Sequence, residues 1–285
     1  MQYEALGYST VCVGDHLSMM GPLPALAAAA AWTDRLQLGL TVAGNDYRSP
    51  LLLAQDAATV QALSGGRLEL GLGAGWNAAD YRQLGIDFEE PGIRIERLAE
   101  AVEIVKRYLG GEAFSFSGRY YAVEEVEPLA VPLAGAPKLM IGGGGPRMLA
   151  LAAREADIVG INLPLRRGDL RTSIRSGAAA GTWATAAVQA VRQAAGDRFD
   201  DLELHVNVLY CEVVDQAGPA LAAAAAALAV DVDQLADSPF VLIGSEDEIA
   251  AKLLRLRERL GISYYTVHAE AAAQLAPLVA RMTGT

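Results

Sequence analysis

The chain has 285 residues, 52% of them hydrophobic and 20% charged, with a formal net charge of -11. That acidity argues against nucleic acid or an anionic membrane surface as partner. No uninterrupted apolar stretch reaches the ~18 residues a membrane span needs, so one large cytoplasmic domain over residues 1–285 is expected.

In chain order, residues 1–6 read as the last turn of a helix stopped at Gly7. Strands are expected at 8–14, 36–43, 67–72, 138–141, 157–161, 202–214 and 263–267. Helices are expected at 22–33, 50–63, 77–84, 92–109, 146–156, 181–195, 219–229, 246–260 and 270–282. Pro22, Pro50 and Pro146 stand at or near helix starts, where a missing N–H costs little. The alanine-rich runs read as helices packed closely on their neighbours. The run FSFSGRYYAV over 114–123 breaks the alternation and reads as an inserted β-hairpin turning at Ser117-Gly118. Cys12 and Cys211 lie far apart in strand-like runs and are expected to be two reduced thiols.

Strand and helix alternate, as in an α/β barrel or a doubly wound sheet. Seven strands are one short of a closed barrel, so the first strand is expected to be missing ahead of the helical turn at 1–6. Parallel folds of both kinds place ligands at the C-terminal ends of strands. Three strand ends draw notice. Asp15-His16 follows the first strand, and a histidine there can exchange a proton while an adjacent carboxylate sets its tautomer. The run RLELGLGAG over 67–75 is a buried strand ending in a glycine turn, with Gly73 and Gly75 serving either a ligand or the turn itself. The third, GGGGP, ends a strand and opens a helix; four glycines free the backbone to wrap an anion, and Arg147 adds a cation in the first turn. His205 and His268 read as packing or hydrogen-bonding residues. Arg166, Arg167, Arg171 and Arg175 form a basic island on an acidic chain, within a mobile loop expected near 163–180. Two readings are open: attraction for an anion, or a solvated face.

Four segments, LGYSTVCVGDHL, RSPLLLAQDAATVQALSGGRLELGLGAGW, KLMIGGGGPRMLALAAREADIVG and VLIGSEDEIAAKLLRLRERLGISYY, resemble in order and spacing the luciferase-like monooxygenases and coenzyme F420-dependent oxidoreductases. The resemblance is strongest to an actinobacterial-type, F420-dependent subgroup. It implies a TIM barrel of the bacterial luciferase-like type, here without its first strand. It also implies coenzyme F420 as cofactor, with FMN the alternative. His16 becomes the candidate catalytic residue at the reactive face, with Asp15 beside it. Gly143, Gly144, Gly145 and Arg147 would hold the cofactor phosphate. Ala43, Gly44 and Asn45 would lie at a bulge, often with a non-prolyl cis peptide, that supports the middle ring. Asn45 either offers its amide to that ring or caps the turn.

Two departures matter. Ala74 stands where FMN enzymes can place arginine, and Trp76 where sugar-phosphate dehydrogenases place a catalytic glutamate. The second substitutes an apolar wall for an acid and favours an apolar or aromatic substrate. The expected activity is hydride transfer to or from such a molecule. A two-component monooxygenase fed by a flavin or F420 reductase is the alternative, and a non-catalytic barrel a third. A homodimer is expected, and no metal.

Overall fold

The computed structural model describes residues 2–129, 134–164 and 181–283. Its contacts group the chain into two compact units, Ser9–Gly142 in one and Gln2–Tyr8 with Gly143–Thr285 in the other. Each is built from strands followed by covering helices.

The first unit holds β1 (Thr10–Val13), β2 (Gln37–Gly44), β3 (Leu68–Gly73) and β6 (Lys138–Gly143, whose last residue falls in the second unit), parallel and in that spatial order. Between them run α2 (Pro22–Trp32), α3 (Pro50–Ser64), α4 (Ala78–Leu84) and α5 (Pro91–Gly110). All six residues of β3 are buried, which is why it reads as an unbroken apolar run rather than an alternating one. Arg67, just ahead of β3, ties the lower end together. Its guanidinium donates to the Ala30, Thr33, Leu36 and Ser64 carbonyls and to Thr33 Oγ1, at 2.7–3.0 Å. One arginine thus satisfies the carbonyls that two helix ends leave open.

The expected hairpin is present as antiparallel β4 (Phe114–Ser117) and β5 (Ala122–Val126). Glu100 on α5 anchors its turn by accepting the N–H groups of Arg119, Tyr120 and Tyr121 at 2.7–3.0 Å.

The second unit begins with α1 (Gln2–Ala5), which ends at Gly7 in the left-handed region with φ 86°. It continues with α6 (Pro146–Glu155), β7 (Ile158–Ile161), α7 (Gly181–Ala195), β8 (Glu203–Asn207), β9 (Tyr210–Val213), α8 (Ala217–Leu228) and α9 (Val232–Ala236). β10 (Val241–Gly244), α10 (Glu246–Leu260), β11 (Ile262–Thr266) and α11 (Ala272–Met282) complete it. The strands β7, β8 and β11 run parallel, in that order.

Here the sequence expectation needs correcting. The single strand at 202–214 is two strands, because the chain changes partner midway. Val208 N–H still donates to Thr266 of β11's end, at 2.8 Å, whereas Leu209 N–H donates to Phe240, also at 2.8 Å. β9 then pairs in parallel with β10, a strand the sequence reading missed. Four apolar residues between a short helix and a capped one carry too little pattern to stand out, yet all four are buried. The alanine-rich α8 buries only Ala225 fully, against Val241 and Ile243, so it packs by one stripe rather than all round. Neither Cys12 nor Cys211 is in a disulfide, and burial pushes the Cys211 thiol up to about 11.

Candidate functional site

In the first unit the ends of β1, β2 and β3 present Asp15, His16, Asn45 and Trp76, held by separate hydrogen-bond networks and by a ring contact between His16 and Trp76. Consecutive residues leaving a strand point in opposite directions, and Asp15 and His16 diverge accordingly. Asp15 turns towards the end of β2. Its Oδ2 accepts the Gly44 N–H at 3.0 Å, and Arg48 reaches both carboxylate oxygens at 2.7 and 2.8 Å. His16 turns towards α4, where its Nδ1 meets Asp80 Oδ2 at 2.7 Å. The carboxylate placed to set the imidazole tautomer is therefore Asp80, not the adjacent Asp15.

Asp80 is buried, and Tyr47 donates to the same oxygen at 3.3 Å. Burial, then the neighbouring Asp80, hold the Tyr47 phenol far above its ordinary range, so it stays a donor. On the other side Trp76 presents its ring edge-on to the imidazole, centroids 5.4 Å apart. Trp76 is 37% exposed, and Leu17, Met19 and Met20 after His16 are 47–74% exposed. The imidazole, its side chain 24% exposed, thus stands against Trp76 in a stretch of chain that carries exposed apolar residues.

The turn after β2 rests on a second network. Asn45 is buried, and its amide nitrogen donates to Asp46 Oδ1 and to Tyr121 of the hairpin, both at 3.2 Å. Both amide protons are thereby committed within the protein. Asp46 also accepts from Tyr81 at 2.9 Å and pairs with Arg97 at 3.1 Å. Ala43 is fully buried; the β2–β3 register slips between Leu40 and Ala43, and the Thr41–Val42 peptide is cis.

The GLGAG turn is shaped by the protein itself. Gly75 has φ 74°, and a Cβ there would stand 2.9 Å from the Tyr81 ring. A Cβ on Gly73 would stand 2.6 Å from Val42. Arg94 holds the turn's carbonyls from α5, at 3.0 Å to Ala74 and with a short bond to Gly75. Both glycines are therefore needed by the turn, whatever they do for a ligand.

The glycine loop of the second unit divides similarly. A Cβ on Gly143 would meet Met148 at 2.6 Å, and one on Gly144 would come within 2.5 Å of the Leu163 carbonyl carbon. Gly145 differs, with nothing within 4 Å of an added Cβ. It is the N-cap of the ten-residue α6, which no side chain caps, and Arg147 in the first turn is exposed. Gly145 and the helix start behind it thus form an open backbone cradle suited to an anion. Arg166, Arg167, Arg171 and Arg175 lie outside the described residues.

Sequence reasoning missed Asp80, Tyr47, Arg48 and Asp46. Asp80 carried a usable signal, being an acid in the first turn of the helix that opens after the glycine turn. The others lie in a short loop where composition says little about direction.

A model of the family described as luciferase-like monooxygenase matches residues 1–264. The 5,10-methylenetetrahydromethanopterin reductase of Archaeoglobus fulgidus is 33% identical over 159 residues, 56% of this chain and 46% of that protein. The F420-dependent glucose-6-phosphate dehydrogenase of Microbacterium testaceum is 32% identical over 163 residues, 54% and 48% of the two chains. The aligned stretch spans about half the length of these curated relatives. The coenzyme F420-dependent tetrahydromethanopterin reductase of Methanopyrus kandleri superposes over 97% of this chain and 90% of its own, with TM-score 0.78 at 20% identity. The α/β fold is thus that of luciferase-like barrels, and the chain belongs to the luciferase-like monooxygenase family.

Proposed function

We propose that the protein is an oxidoreductase that transfers hydride between coenzyme F420 and a small apolar or aromatic substrate, with His16 exchanging the accompanying proton. One observation carries this reading. His16 is held through Nδ1 by a buried carboxylate while its ring stays part-exposed against Trp76. F420, when bound, supplies or accepts the hydride. The chain's own contribution is to hold the molecule, keep an apolar surface beside it, and move a proton at His16 Nε2. Gly145 and the first turn of α6 fit a phosphate, since the backbone there is open to approach. Trp76, in place of a carboxylate, favours an apolar substrate over a sugar phosphate. The names of the Archaeoglobus, Microbacterium and Methanopyrus relatives support F420-linked chemistry.

A second reading is a two-component FMN monooxygenase, which the family's own description favours. It would need a partner reductase to deliver reduced flavin, whereas F420 chemistry needs only a source of the matching redox form. Anaerobic titration of the protein with F420 and with FMN in parallel separates the two. Tighter binding of F420 is expected. Tight FMN binding with no F420 binding overturns the proposal, and binding of neither returns the chain to a non-catalytic barrel.

A further inference from the structure

We infer that Asp80 is the positioning residue that holds His16 as the Nδ1–H tautomer, with Nε2 presented as a lone pair; its relevance to catalysis rests on the function proposed above. The argument is one of donors and acceptors. An ionised carboxylate oxygen offers only lone pairs. Asp80 Oδ2 lies 2.7 Å from His16 Nδ1 and 3.3 Å from the Tyr47 hydroxyl. The phenol is held protonated, as described, so it donates to that oxygen. Nδ1 must then carry a hydrogen to meet it as well. A neutral imidazole has one ring hydrogen, so Nε2 is left as an acceptor.

The ring is also held in orientation. Trp76 stands edge-on at an interplanar angle of 83°, and the neighbouring Asp15 is fixed by Gly44 N–H and Arg48. Asp15 therefore anchors the backbone of the pair, and Asp80 governs its chemistry. Asp80→Leu removes the acceptor that Nδ1–H needs, so nothing then keeps the ring hydrogen off Nε2 and both tautomers become populated. In a catalytic triad, loss of the correct tautomer costs about 10⁴ in turnover.

The chain has three histidines, so its imidazole nitrogens can be resolved individually. In ¹⁵N-labelled, ligand-free protein, with His16 assigned from the His16→Gln spectrum, the ring hydrogen is expected on Nδ1. In Asp80→Leu it is expected on both nitrogens, with acylation of His16 by diethyl pyrocarbonate slowed relative to exposed His268. Asp80→Glu should restore the parent's tautomer and reactivity. F420 affinity should hardly change in Asp80→Leu, while kcat on any substrate the protein turns over falls by roughly 10²–10⁴ with KM little altered. A ring hydrogen on Nε2 in the parent protein overturns the inference even if Asp80→Leu fails to fold. So does a folded Asp80→Leu protein with the parent's tautomer and reactivity. Failure of F420 to bind would instead remove the proposed function and leave the positioning role standing.

Discussion

His16 and His205 are held in opposite senses, and the contrast separates a reactive imidazole from a structural one. His16, at the rim of the first unit, is bonded through Nδ1 to a carboxylate and keeps its far edge open. His205 sits in the middle of β8 in the second unit and is 3% exposed. Its Nε2 lies 3.0 Å from Thr266 Oγ1, whose own hydrogen goes to Asn207 Oδ1 at 3.1 Å. Thr266 must therefore accept, so His205 carries its hydrogen on Nε2, and its buried Nδ1 has no hydrogen-bond partner. Tyr264 closes over it edge-on at 4.8 Å. Burial pushes His205 down to about 4, so it stays neutral in the fold. Two residues of one type thus differ because one meets a fixed charge at an open edge and the other meets a hydroxyl in a closed interior.

The largest expected effect tests that division directly. His16→Ala should lower turnover by roughly 10²–10⁴-fold, with a stability loss no larger than the about 0.5–1.5 kcal/mol of its one bond to Asp80. His205→Ala should do the reverse, costing about 1–3 kcal/mol of stability while leaving turnover of the folded fraction near the parent's. Paired kinetics and thermal unfolding check both. Loss of turnover in a stable His205→Ala protein would erase the distinction.

The pH dependence of stability sharpens it. The ordinary histidine value is 6.5 and the folded value for His205 about 4. Above 6.5 neither state protonates this ring. As pH falls from 6.5 towards 4, the unfolded chain binds a proton that the folded chain refuses, so stability is lost across that window. Below about 4 the contribution levels off. The loss from this one residue is about 3 kcal/mol. Urea unfolding at several pH values should show it in the parent and not in His205→Leu; equal slopes in both would place the acid sensitivity elsewhere.

Much of the scaffold was legible because strands and helices here keep clean patterns. Each of the seven strands read from the sequence overlaps a strand of a parallel ladder, the one at 202–214 overlapping two, and Pro22, Pro50 and Pro146 each open a helix. β10 escaped because four apolar residues hold no periodicity, and the break at Val208 because a change of pairing partner leaves no local mark. At the site, the glycine turns and His16 stood out by residue type. The pairing of His16 with Asp80 rather than Asp15 did not, since 64 positions separate the two and adjacency in sequence favours the wrong carboxylate. Tertiary direction, not composition, decides such partners.

The glycine loop offers a smaller contrast within the second unit. Gly144→Ala forces a Cβ against the Asn162–Leu163 backbone, which cannot yield like a side chain, and should cost about 1–3 kcal/mol. Gly145→Ala meets nothing and should stay within about 0.5 kcal/mol of the parent in stability. It should nevertheless weaken binding of a phosphate-bearing cofactor by intruding on the open backbone. A titration in which Gly145→Ala binds F420 as tightly as the parent would make the loop a turn and nothing more.

A last contrast compares two single hydroxyls. Thr266→Val deletes the acceptor of His205 Nε2–H inside a closed strand pair, leaving a second buried nitrogen without a partner. About 1–3 kcal/mol should be lost, since an unpaired buried donor forfeits its hydration without return. Tyr47→Phe deletes the longer of two bonds to Asp80, at 3.3 Å, and leaves His16 Nδ1–H on the same oxygen. Its cost should be the ordinary net worth of a hydrogen bond, about 0.5–1.5 kcal/mol. The two differ more sharply in the tautomers they leave. Thr266→Val removes what fixes the His205 ring hydrogen on Nε2, so both tautomers should become visible by ¹⁵N spectroscopy. Tyr47→Phe keeps the carboxylate, so His16 should remain wholly Nδ1–H. Scrambling of His16 in Tyr47→Phe would mean that the carboxylate alone does not set its state, and that the phenol shares the task.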